Sequence, residues 1–349
     1  MKKLSIPEIG FIYIGSFLGA GFVSGQELWQ FFGSFGMWGI AGLLIAACLF
    51  VFLGTVLFSL TAKSGICEMD KIAMWRDIRW LRTVIAVIEI SFMFGIYIIM
   101  ASGAGTTAAQ LTGIAVIKPI ICFVFCIIVT LIALSGVDGV VKLFSFVIPP
   151  VTILSFVIGV ISLKKTGVHI GINVPGSSNP LIGNWVLAAL TFVSYNFFCG
   201  IGVMTAIGEK TGGGERGFKG ALFGGMLITV IAASIIIPLM SSPYATDKEI
   251  PMLALTKMLH PIFTYIYADL LFIAMLGASL SVFVPIPMYF SRFAFFAKHK
   301  KLFTVILSLI AFTGSMAGFG NLIGIVYSVY GYLASVIIIL MVIHYFKIT

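Results

Sequence analysis

The sequence predicts an all-α integral membrane protein whose ten transmembrane helices form two halves of five, the second half inverted. Three observations lead to this fold class. The chain is 60% hydrophobic and only 9% charged, whereas soluble domains carry about 25% charged residues. Apolar runs recur along the whole sequence, and each reaches the length of about 20 residues that crosses a bilayer. The runs do not alternate in polarity, which excludes the strands of a membrane barrel.

The apolar runs define the predicted elements in chain order. A polar outer segment at 164–182 separates the first five runs, within 1–163, from the last five, within 183–349. Because five is an odd number, the second half enters the membrane in the opposite sense to the first, as inverted repeats do. The predicted spans are 8–32, 37–62, 84–111, 115–136, 144–163, 183–208, 219–241, 262–286, 302–318 and 321–346.

The net charge of +9 orients the chain in the membrane and does not indicate binding of nucleic acid. With the amino terminus on the cytoplasmic side, 16 of the 21 basic residues fall in cytoplasmic segments. The other five are Lys118, Lys164, Lys165, Lys248 and Lys257. This asymmetry follows the positive-inside rule. We therefore predict a multi-pass protein of the cell membrane with both termini in the cytoplasm and no nucleic-acid partner.

The first span contains GSFLGAGFVSGQE, from Gly15 to Glu27, a stretch poorly suited to a membrane helix. Each of its glycines costs about 1 kcal/mol relative to alanine in a helix interior. A glycine face for close helix packing explains the spacing of Gly21 and Gly25. It does not explain the polar residues beside them, which are Ser16, Ser24, Gln26 and Glu27. We predict unwound backbone here, which survives at membrane depth only inside protein or beside a wet cavity.

A second break is predicted at 194–200 in the sixth span, where the sequence is SYNFFCG. The motif Phe17-Leu-Gly-Ala-Gly aligns with Phe198-Cys-Gly-Ile-Gly, so the two halves begin alike. Facing ends of interrupted helices offer carbonyl oxygens to a cation and amides to a carboxylate. The predicted substrate-binding residues at the two breaks are Ser16, Gly19, Ala20, Gly21, Ser24, Ser194, Tyr195, Asn196, Phe197 and Gly200.

Three acidic residues lie within predicted spans without a basic neighbour in sequence: Glu27, Glu89 and Asp269. Acids inside the membrane are costly and commonly face a cavity, a partner or an ion path. Each can instead be buried in protonated form or lie near an interface, and Asp269 fits either interpretation. Glu27 directly follows the first break. We therefore assign it a functional role, as the carrier of a coupled proton or as the acceptor of a substrate amine.

Two glycine-interrupted helices at spans 1 and 6 of a five-plus-five chain resemble the LeuT-type fold of amino acid and sodium symporters, in the amino acid–polyamine–organocation superfamily. Within it, GSFLGAGFVSGQELWQFFG is similar to the YkvI family of uncharacterised bacterial membrane proteins. The resemblance implies a cation site at the backbone of Gly15 and Leu18. It implies a substrate site at the backbone of Gly19, Ala20 and Gly21.

The same resemblance bears on the coupling ion. Sodium symporters of this fold add adjacent hydroxyls from span 8, where this chain has Gly277 and Ala278, with serines slightly displaced. Sodium-independent relatives place a lysine midway along span 5, which this chain lacks. Both Na⁺ and H⁺ stay open, with Na⁺ expected at Gly15, Leu18 and Ser279. The residues expected to serve cation binding or proton coupling are Gly15, Leu18, Ala274, Ser279, Ser281, Glu27, Glu89 and Asp269.

Span 3 lines the site in this fold, and Phe94, Tyr97 and Ala101 follow helical spacing along it. Tyr97 is expected to present its hydroxyl to the solute, although an aromatic residue in such a span also serves packing.

Together these features predict a secondary active transporter that moves an amino acid or related amine by Na⁺ or H⁺ symport. The alternative is a channel or a solute sensor that uses the same cavity. No nucleophile with an adjacent base is evident, so neither an enzyme activity nor a cofactor is expected.

Overall fold

In the computed structural model, residues 3–65, 69–73, 78–135, 148–170 and 178–348 are described, and all regular structure within these ranges is helical. Eight stretches are long and apolar enough to cross a membrane: Met37–Ser64, Arg79–Thr112, Ile117–Ser135, Pro149–Thr166, Trp185–Thr205, Gly214–Met240, Pro261–Phe290 and Phe319–Lys347. The protein is therefore an all-helical, multi-pass membrane protein, as the sequence predicts.

The helices, in chain order, are α1 (Ile6–Gly15), α2 (Ala20–Val23), α3 (Gln26–Phe31), α4 (Met37–Ser64), α5 (Met69–Ile72), α6 (Arg79–Thr112), α7 (Ile117–Ser135), α8 (Ile148–Thr166), α9 (Trp185–Thr211), α10 (Gly214–Met240), α11 (Pro243–Thr246), α12 (Pro251–Lys257), α13 (Pro261–Phe283), α14 (Pro285–Phe290), α15 (Ala294–Lys298), α16 (Lys300–Ser315), α17 (Phe319–Leu322) and α18 (Ser328–Ile348). A π-helical turn, Ile323–Tyr327, joins α17 to α18. The predicted ninth span corresponds to α16, which has 16 residues, and the predicted first span is divided among α1, α2 and α3. The count of ten spans therefore remains a prediction.

Helix α1 begins at a capping box and ends within the glycine-rich stretch. Ser5 Oγ accepts a hydrogen bond from Glu8 N at 3.4 Å, and Ser5 N donates to Glu8 Oε2 at 2.7 Å. These bonds satisfy amides that a helix start leaves open. Helical geometry stops at Gly15 and resumes at Ala20, with Gly19 extended at φ −101° and ψ 170°. The first helix is thus interrupted within the stretch that its glycines weaken.

A tight turn divides α2 from α3. Ser24 Oγ donates to Gly21 O at 2.6 Å and accepts from Gln26 N at 3.3 Å. Gly25 has φ +82°, a left-handed conformation that costs other residues about 1–2 kcal/mol. The chain then restarts as α3, which carries Glu27 in its first turn.

The predicted break in the sixth span is wrong, because α9 runs without interruption from Trp185 to Thr211. Within 194–200 only Gly200 weakens the helix, by about 1 kcal/mol. The polar side chains bond within their own helix: Ser194 Oγ donates to Leu190 O at 2.7 Å, and Asn196 Nδ2 donates to Phe192 O at 3.0 Å. One glycine does not interrupt the helix as the four glycines of the first span do. The first half therefore begins with an interrupted helix, and the second half begins with a continuous one.

Two groups of helices pack around the centre of the molecule. Helices α1, α4, α9 and α10 make their most extensive contacts with one another. The second group consists of α6 with α7, α13 and α16 packed on it. Aromatic side chains fill the first group, in which Tyr13 OH donates to Phe50 O at 2.5 Å and Phe17 lies edge-on to Tyr13. The interrupted first helix lies where the two groups meet.

The bundle has two distinguishable ends. Leu4 N donates to Lys210 O at 3.0 Å, and His344 Nδ1 lies 2.7 Å from Ile72 O. We call this the terminal end, because it carries the start of α1 and the end of α18. At the opposite end, which we call the outer end after the predicted orientation, the connection between α10 and α13 folds into the short helices α11 and α12. The apolar pattern does not predict these helices.

Candidate functional site

A cavity of about 250 Å³ lies beside the interruption of the first helix. One wall is the irregular backbone from Gly15 to Gly19, and helices α6, α9 and α13 supply the others. Glu27 and Tyr327 complete the lining. The predicted site residues that line this cavity are Gly15, Ser16, Leu18, Gly19, Glu27, Tyr195, Asn196, Ala274 and Ser281. The structure therefore brings together residues from both predicted breaks and from span 8.

Glu27 is the acidic group of the cavity. Its side chain is buried, with 3% exposed. Tyr195 OH donates to Glu27 Oε1 at 2.5 Å, and Asn196 Nδ2 donates to the same oxygen at 3.4 Å. Across the described part of the chain, no basic side chain pairs with Glu27 and no donor reaches Oε2. Because a buried carboxylate needs a partner, its free oxygen is suited to hold a cation or a proton.

Gly21 positions this carboxylate without lining the cavity. A Cβ at Gly21 would lie 2.7 Å from Glu27 Oε2 and 3.4 Å from the hydroxyl oxygen of Tyr327. The missing side chain therefore leaves the space that Glu27 and Tyr327 occupy against the α2 backbone.

The other predicted residues at the two breaks lie behind the cavity wall; they are Ala20, Ser24, Ser194, Phe197 and Gly200. Ala20, Ser24 and Phe197 are fully buried. A Cβ at Gly200 would lie 2.9 Å from the Phe17 ring and 3.0 Å from Ser16 Cβ. Gly200 thus allows α9 to approach the interrupted segment closely. These five residues therefore pack behind the residues that line the cavity and do not line it themselves.

Tyr97 does not face the cavity, contrary to the expectation from the sequence. It is fully buried, stacks on Phe283 with 4.4 Å between ring centroids, and has its hydroxyl 2.7 Å from Ser308 Oγ. The residues of α6 that line the cavity are Phe92, Ile96 and Met100, spaced four apart on one helix face. The predicted face of this helix was therefore wrong by one residue.

The hydroxyl expected for a sodium site is also displaced. Ser279 is fully buried, its Oγ has no hydrogen-bond partner in the described chain, and it does not line the cavity. Ser281 does line it and donates to Gly277 O at 2.9 Å. The cavity face of α13 consists of Ala274, Gly277, Ala278, Ser281 and Val282. Ser281, and not Ser279, thus shares the cavity with Gly15 and Leu18.

The two other acids within predicted spans are not at the cavity. Glu89 is half-buried on α6, and Asp269 is exposed on α13. Neither lines the cavity with Glu27.

Sequence reasoning missed several lining residues: Phe17, Phe92, Ile96, Met100, Cys199, Val282 and Tyr327. Cys199 is exposed at this cavity. Tyr327 ends the π-helical turn and stacks on Tyr195 with 4.6 Å between ring centroids. The glycine-flanked tyrosines of the last span were the available signal for Tyr327.

The cavity opens toward the terminal end. Of the lining residues, Gly15, Cys199 and Ser281 are exposed. On the outer side of the interruption, Ala20, Phe22, Val23 and Leu28 have no exposed surface. The site is therefore reached from one end of the bundle and closed at the other.

Two curated relatives, both from Bacillus subtilis (strain 168), match nearly the full chain. The uncharacterised membrane protein YkvI is 24% identical over 344 residues, covering 95% of this chain and 94% of the relative. The uncharacterised protein YyaD is 24% identical over 333 residues, covering 92% and 91%. No protein-family model matches the sequence. The resemblance to YkvI expected from the sequence is confirmed.

Solved structures show the fold. The inward-facing conformation of Mhp1 has a TM-score of 0.65 at 15% identity, covering 99% of this chain and 77% of that chain. MhsT in complex with L-phenylalanine has a TM-score of 0.61 at 17% identity, covering 97% and 89%. A manganese transporter of Eremococcus coleocola has a TM-score of 0.61 at 11% identity, covering 95% and 76%. The chain thus has the LeuT-type fold that the resemblance in its sequence implies.

Proposed function

We propose that the protein is a secondary active transporter that moves a small organic solute, an amino acid or a related amine, by symport with Na⁺ or H⁺. The observation that carries this proposal is the cavity at the interrupted first helix, which contains a buried carboxylate and opens to one end only. Irregular backbone at membrane depth is costly unless it lines such a cavity. Interrupted helices that surround a site near the middle of the membrane are typical of secondary transporters.

The packing of the helices supports alternating access. The group α1, α4, α9 and α10 meets the group α6, α7, α13 and α16 at the cavity. Rocking of one group against the other would close the terminal end and open the outer end, moving a bound solute across. The two predicted inverted halves and the cytoplasmic position of both termini belong to the same proposal.

Two cation sites fit the described residues. The backbone at Gly15 and Leu18 shares the cavity with Ser281 Oγ, and carbonyl and hydroxyl oxygens suit Na⁺. Glu27 Oε2 suits a proton or a positively charged group of the solute. A structural neighbour supports a solute of modest size: Mhp1, a nucleobase-cation-symport-1 family transporter, binds bromovinylhydantoin in its closed conformation.

A channel or sensor that uses the same cavity is the alternative, and gradient-driven accumulation separates it from a transporter. Purified protein in proteoliposomes is given labelled proteinogenic amino acids and the amines formed by their decarboxylation. An inward Na⁺ gradient and an inward proton gradient are applied separately. We expect saturable accumulation above the equilibrium concentration under one of the gradients. Conductance in a planar bilayer without accumulation would contradict the proposal.

Glu27→Gln tests the role of the cavity carboxylate, with Asp269→Asn as the matched control. Both changes remove one carboxylate from a predicted span, but Glu27 lines the cavity and Asp269 is exposed on α13. Removing one partner of a buried charged interaction changes affinity by about 30-fold or more. Gradient-driven uptake should therefore be lost in Glu27→Gln and unchanged in Asp269→Asn. Full uptake by a Glu27→Gln protein with a normal gel-filtration profile would remove Glu27 from the mechanism.

A further inference from the structure

The described residues that line the cavity include an acidic side chain but no basic one. Among the described residues that line it, Glu27 is acidic and none is Lys, Arg or His. Glu27 Oε1 already accepts hydrogen bonds from Tyr195 and Asn196, while Oε2 accepts none from the described chain. A charge held away from water is stable only with an opposite charge or enough hydrogen bonds. A solute with a positively charged group is therefore expected to bind this cavity most tightly, because that group can pair with Glu27 Oε2.

Of the four aromatic rings that line the same cavity as this carboxylate, those of Phe92, Tyr195 and Tyr327 form a cluster. Tyr195 and Tyr327 stack with 4.6 Å between ring centroids. Phe92 lies edge-on to Tyr195 at 6.5 Å and to Tyr327 at 6.2 Å. Aromatic rings attract ammonium groups, and clusters of such rings form cages for alkylated ammonium ions. The carboxylate and the rings thus favour the same chemical group.

A solute carboxylate meets no basic side chain among the described residues that line this cavity. The backbone of Gly19, Ala20 and Gly21 was expected to bind it. Ala20 and Gly21 lie behind the lining, and Gly19, which lines the cavity, already donates its amide to Phe17 O at 2.9 Å. Asn196 Nδ2 already donates to Phe192 O at 3.0 Å and to Glu27 Oε1 at 3.4 Å. A zwitterion would also bring its negative group into the same cavity of about 250 Å³ as Glu27. Like charges repel strongly when water does not separate them.

We propose that the solute is a cationic amine without a carboxylate, and that Glu27 Oε2 accepts its ammonium group beside Phe92, Tyr195 and Tyr327. This inference rests on the proposed transport function and narrows its solute class from amino acids and amines to amines. It also assigns Glu27 to the solute, so that the coupling cation binds elsewhere in the site.

Two matched series of probes test the charge requirement. The first is phenethylamine, L-phenylalanine, 3-phenylpropionate and the neutral isostere 2-phenylethanol. The second is isoamylamine, L-leucine and 4-methylpentanoate. Binding to the purified protein is measured by thermal shift at several ligand concentrations, because a ligand of the folded state stabilises it by RT ln(1 + [L]/Kd). We expect the amine of at least one series to bind about tenfold tighter than its amino acid and the carboxylate to give no shift. Equal or tighter binding of the amino acid in both series overturns the proposal, and so does the absence of binding by either amine.

Glu27→Gln and Asp269→Asn show whether the ammonium group is held at Glu27. Stabilisation by phenethylamine should be lost in the first variant and kept in the second, while any response to 2-phenylethanol should be the same in both. If Glu27→Gln does not fold, Tyr327→Leu replaces it. That change should lower the affinity for phenethylamine by about threefold or more, as expected for a lost cation–π partner. It should lower the affinity for 2-phenylethanol less. Amine binding that survives Glu27→Gln overturns the proposal and returns Glu27 to the role of proton carrier.

Failure of this inference can be distinguished from failure of the transport function. In proteoliposomes preloaded with unlabelled phenethylamine, counterflow of labelled phenethylamine measures solute exchange without a cation gradient. Accumulation of L-phenylalanine without phenethylamine counterflow would support the transport function and contradict the assignment of an amine as the solute. Amine binding without counterflow or accumulation would support the amine-binding site and contradict the transport function.

Discussion

The two sides of the interrupted first helix differ in how closely they are packed. On the terminal side, a Cβ added at Gly15 or Gly19 would meet nothing within 4 Å. On the outer side, a Cβ at Gly21 would lie 2.7 Å from Glu27 Oε2, and one at Gly25 would lie 2.9 Å from both Leu239 and Met252. Glycines of one sequence stretch therefore serve opposite purposes: the first two leave space for a cavity, and the last two allow close packing that closes it.

The outer side is closed by contacts on one carboxylate between α11 and α12. Glu249 accepts hydrogen bonds from Thr106 Oγ1 at 3.1 Å and Phe319 N at 3.0 Å, and forms an ion pair with Lys118 at 3.3 Å. We call these four residues the outer clasp. It joins the α11–α12 connection to α6, to α7 and to the start of the last span.

Backbone contacts continue the outer clasp toward the site. Gln110 Nε2 donates to Ile250 O at 2.8 Å, and Ile250 N donates back to Gln110 Oε1 at 3.2 Å. Met252 N donates to Ser24 O at 3.1 Å, at the turn between α2 and α3. The outer closure is thus made of residues that do not line the cavity, so it can be weakened while the site is left intact.

The largest expected effect comes from Gly25→Ala. The left-handed φ of +82° costs an L-residue about 1–2 kcal/mol, and overpacking against Leu239 and Met252 costs about 1–3 kcal/mol more. The melting temperature in detergent should therefore fall by several degrees. Gly15→Ala is the matched control, because its added methyl group meets open space, and it should leave the melting temperature unchanged. Equal melting temperatures for both variants would show that the outer side is not tightly packed.

A smaller but more selective effect is expected from Glu249→Ala. Hydrogen bonds to charged groups contribute about 1.5–3 kcal/mol each when buried, but Glu249 is 43% exposed, so the net loss should be about 1.5 kcal/mol. This loss corresponds to roughly tenfold more of the form open at the outer end. Cys199 reports that form when Cys48, Cys67, Cys122 and Cys126 are replaced by alanine. Its reaction with a membrane-impermeant thiol reagent outside intact cells should rise about tenfold.

Asp247→Ala is the control for this measurement. Asp247 is an exposed acid two residues before Glu249 and is not part of the outer clasp, so its loss should leave the labelling rate unchanged. Equal rates in the two variants, or no change in Glu249→Ala, would show that the outer clasp does not keep the outer end closed.

The same contrast shows what sequence patterns can predict. Apolar runs located the long helices closely; 37–62 became Met37–Ser64, and 115–136 became Ile117–Ser135. The low helix preference of glycine located the irregular segment near Glu27, because four glycines act together between Gly15 and Gly25. The prediction of a break at 194–200 failed, because it depended on a short alignment with the first span. That segment contains a single glycine, Gly200, which is too few to interrupt the helix.

Other features depend on packing between distant segments. Tyr97 and Ile96 are adjacent in sequence, and only the contact of Tyr97 with Phe283 and Ser308 decides which of them turns away from the cavity. The outer clasp joins residues 106, 118, 249 and 319, so no local pattern reveals it.

The smallest effect is expected from Lys118→Met, which removes the ion pair but keeps the hydrogen bonds of Glu249 with Thr106 and Phe319. Lys118 and Glu249 are 22% and 43% exposed, and ion pairs in contact with water contribute less than about 1 kcal/mol. Labelling of Cys199 from outside should therefore rise only about two- to threefold, and the difference from the unaltered protein should shrink in high salt because salt screens the pair. Lys248→Met is the control, since Lys248 lies over the Tyr244 ring at 5.4 Å and outside the outer clasp. A rise as large as that of Glu249→Ala would mean that the ion pair alone holds the outer end, whereas no rise would assign the closure to the Thr106 and Phe319 hydrogen bonds.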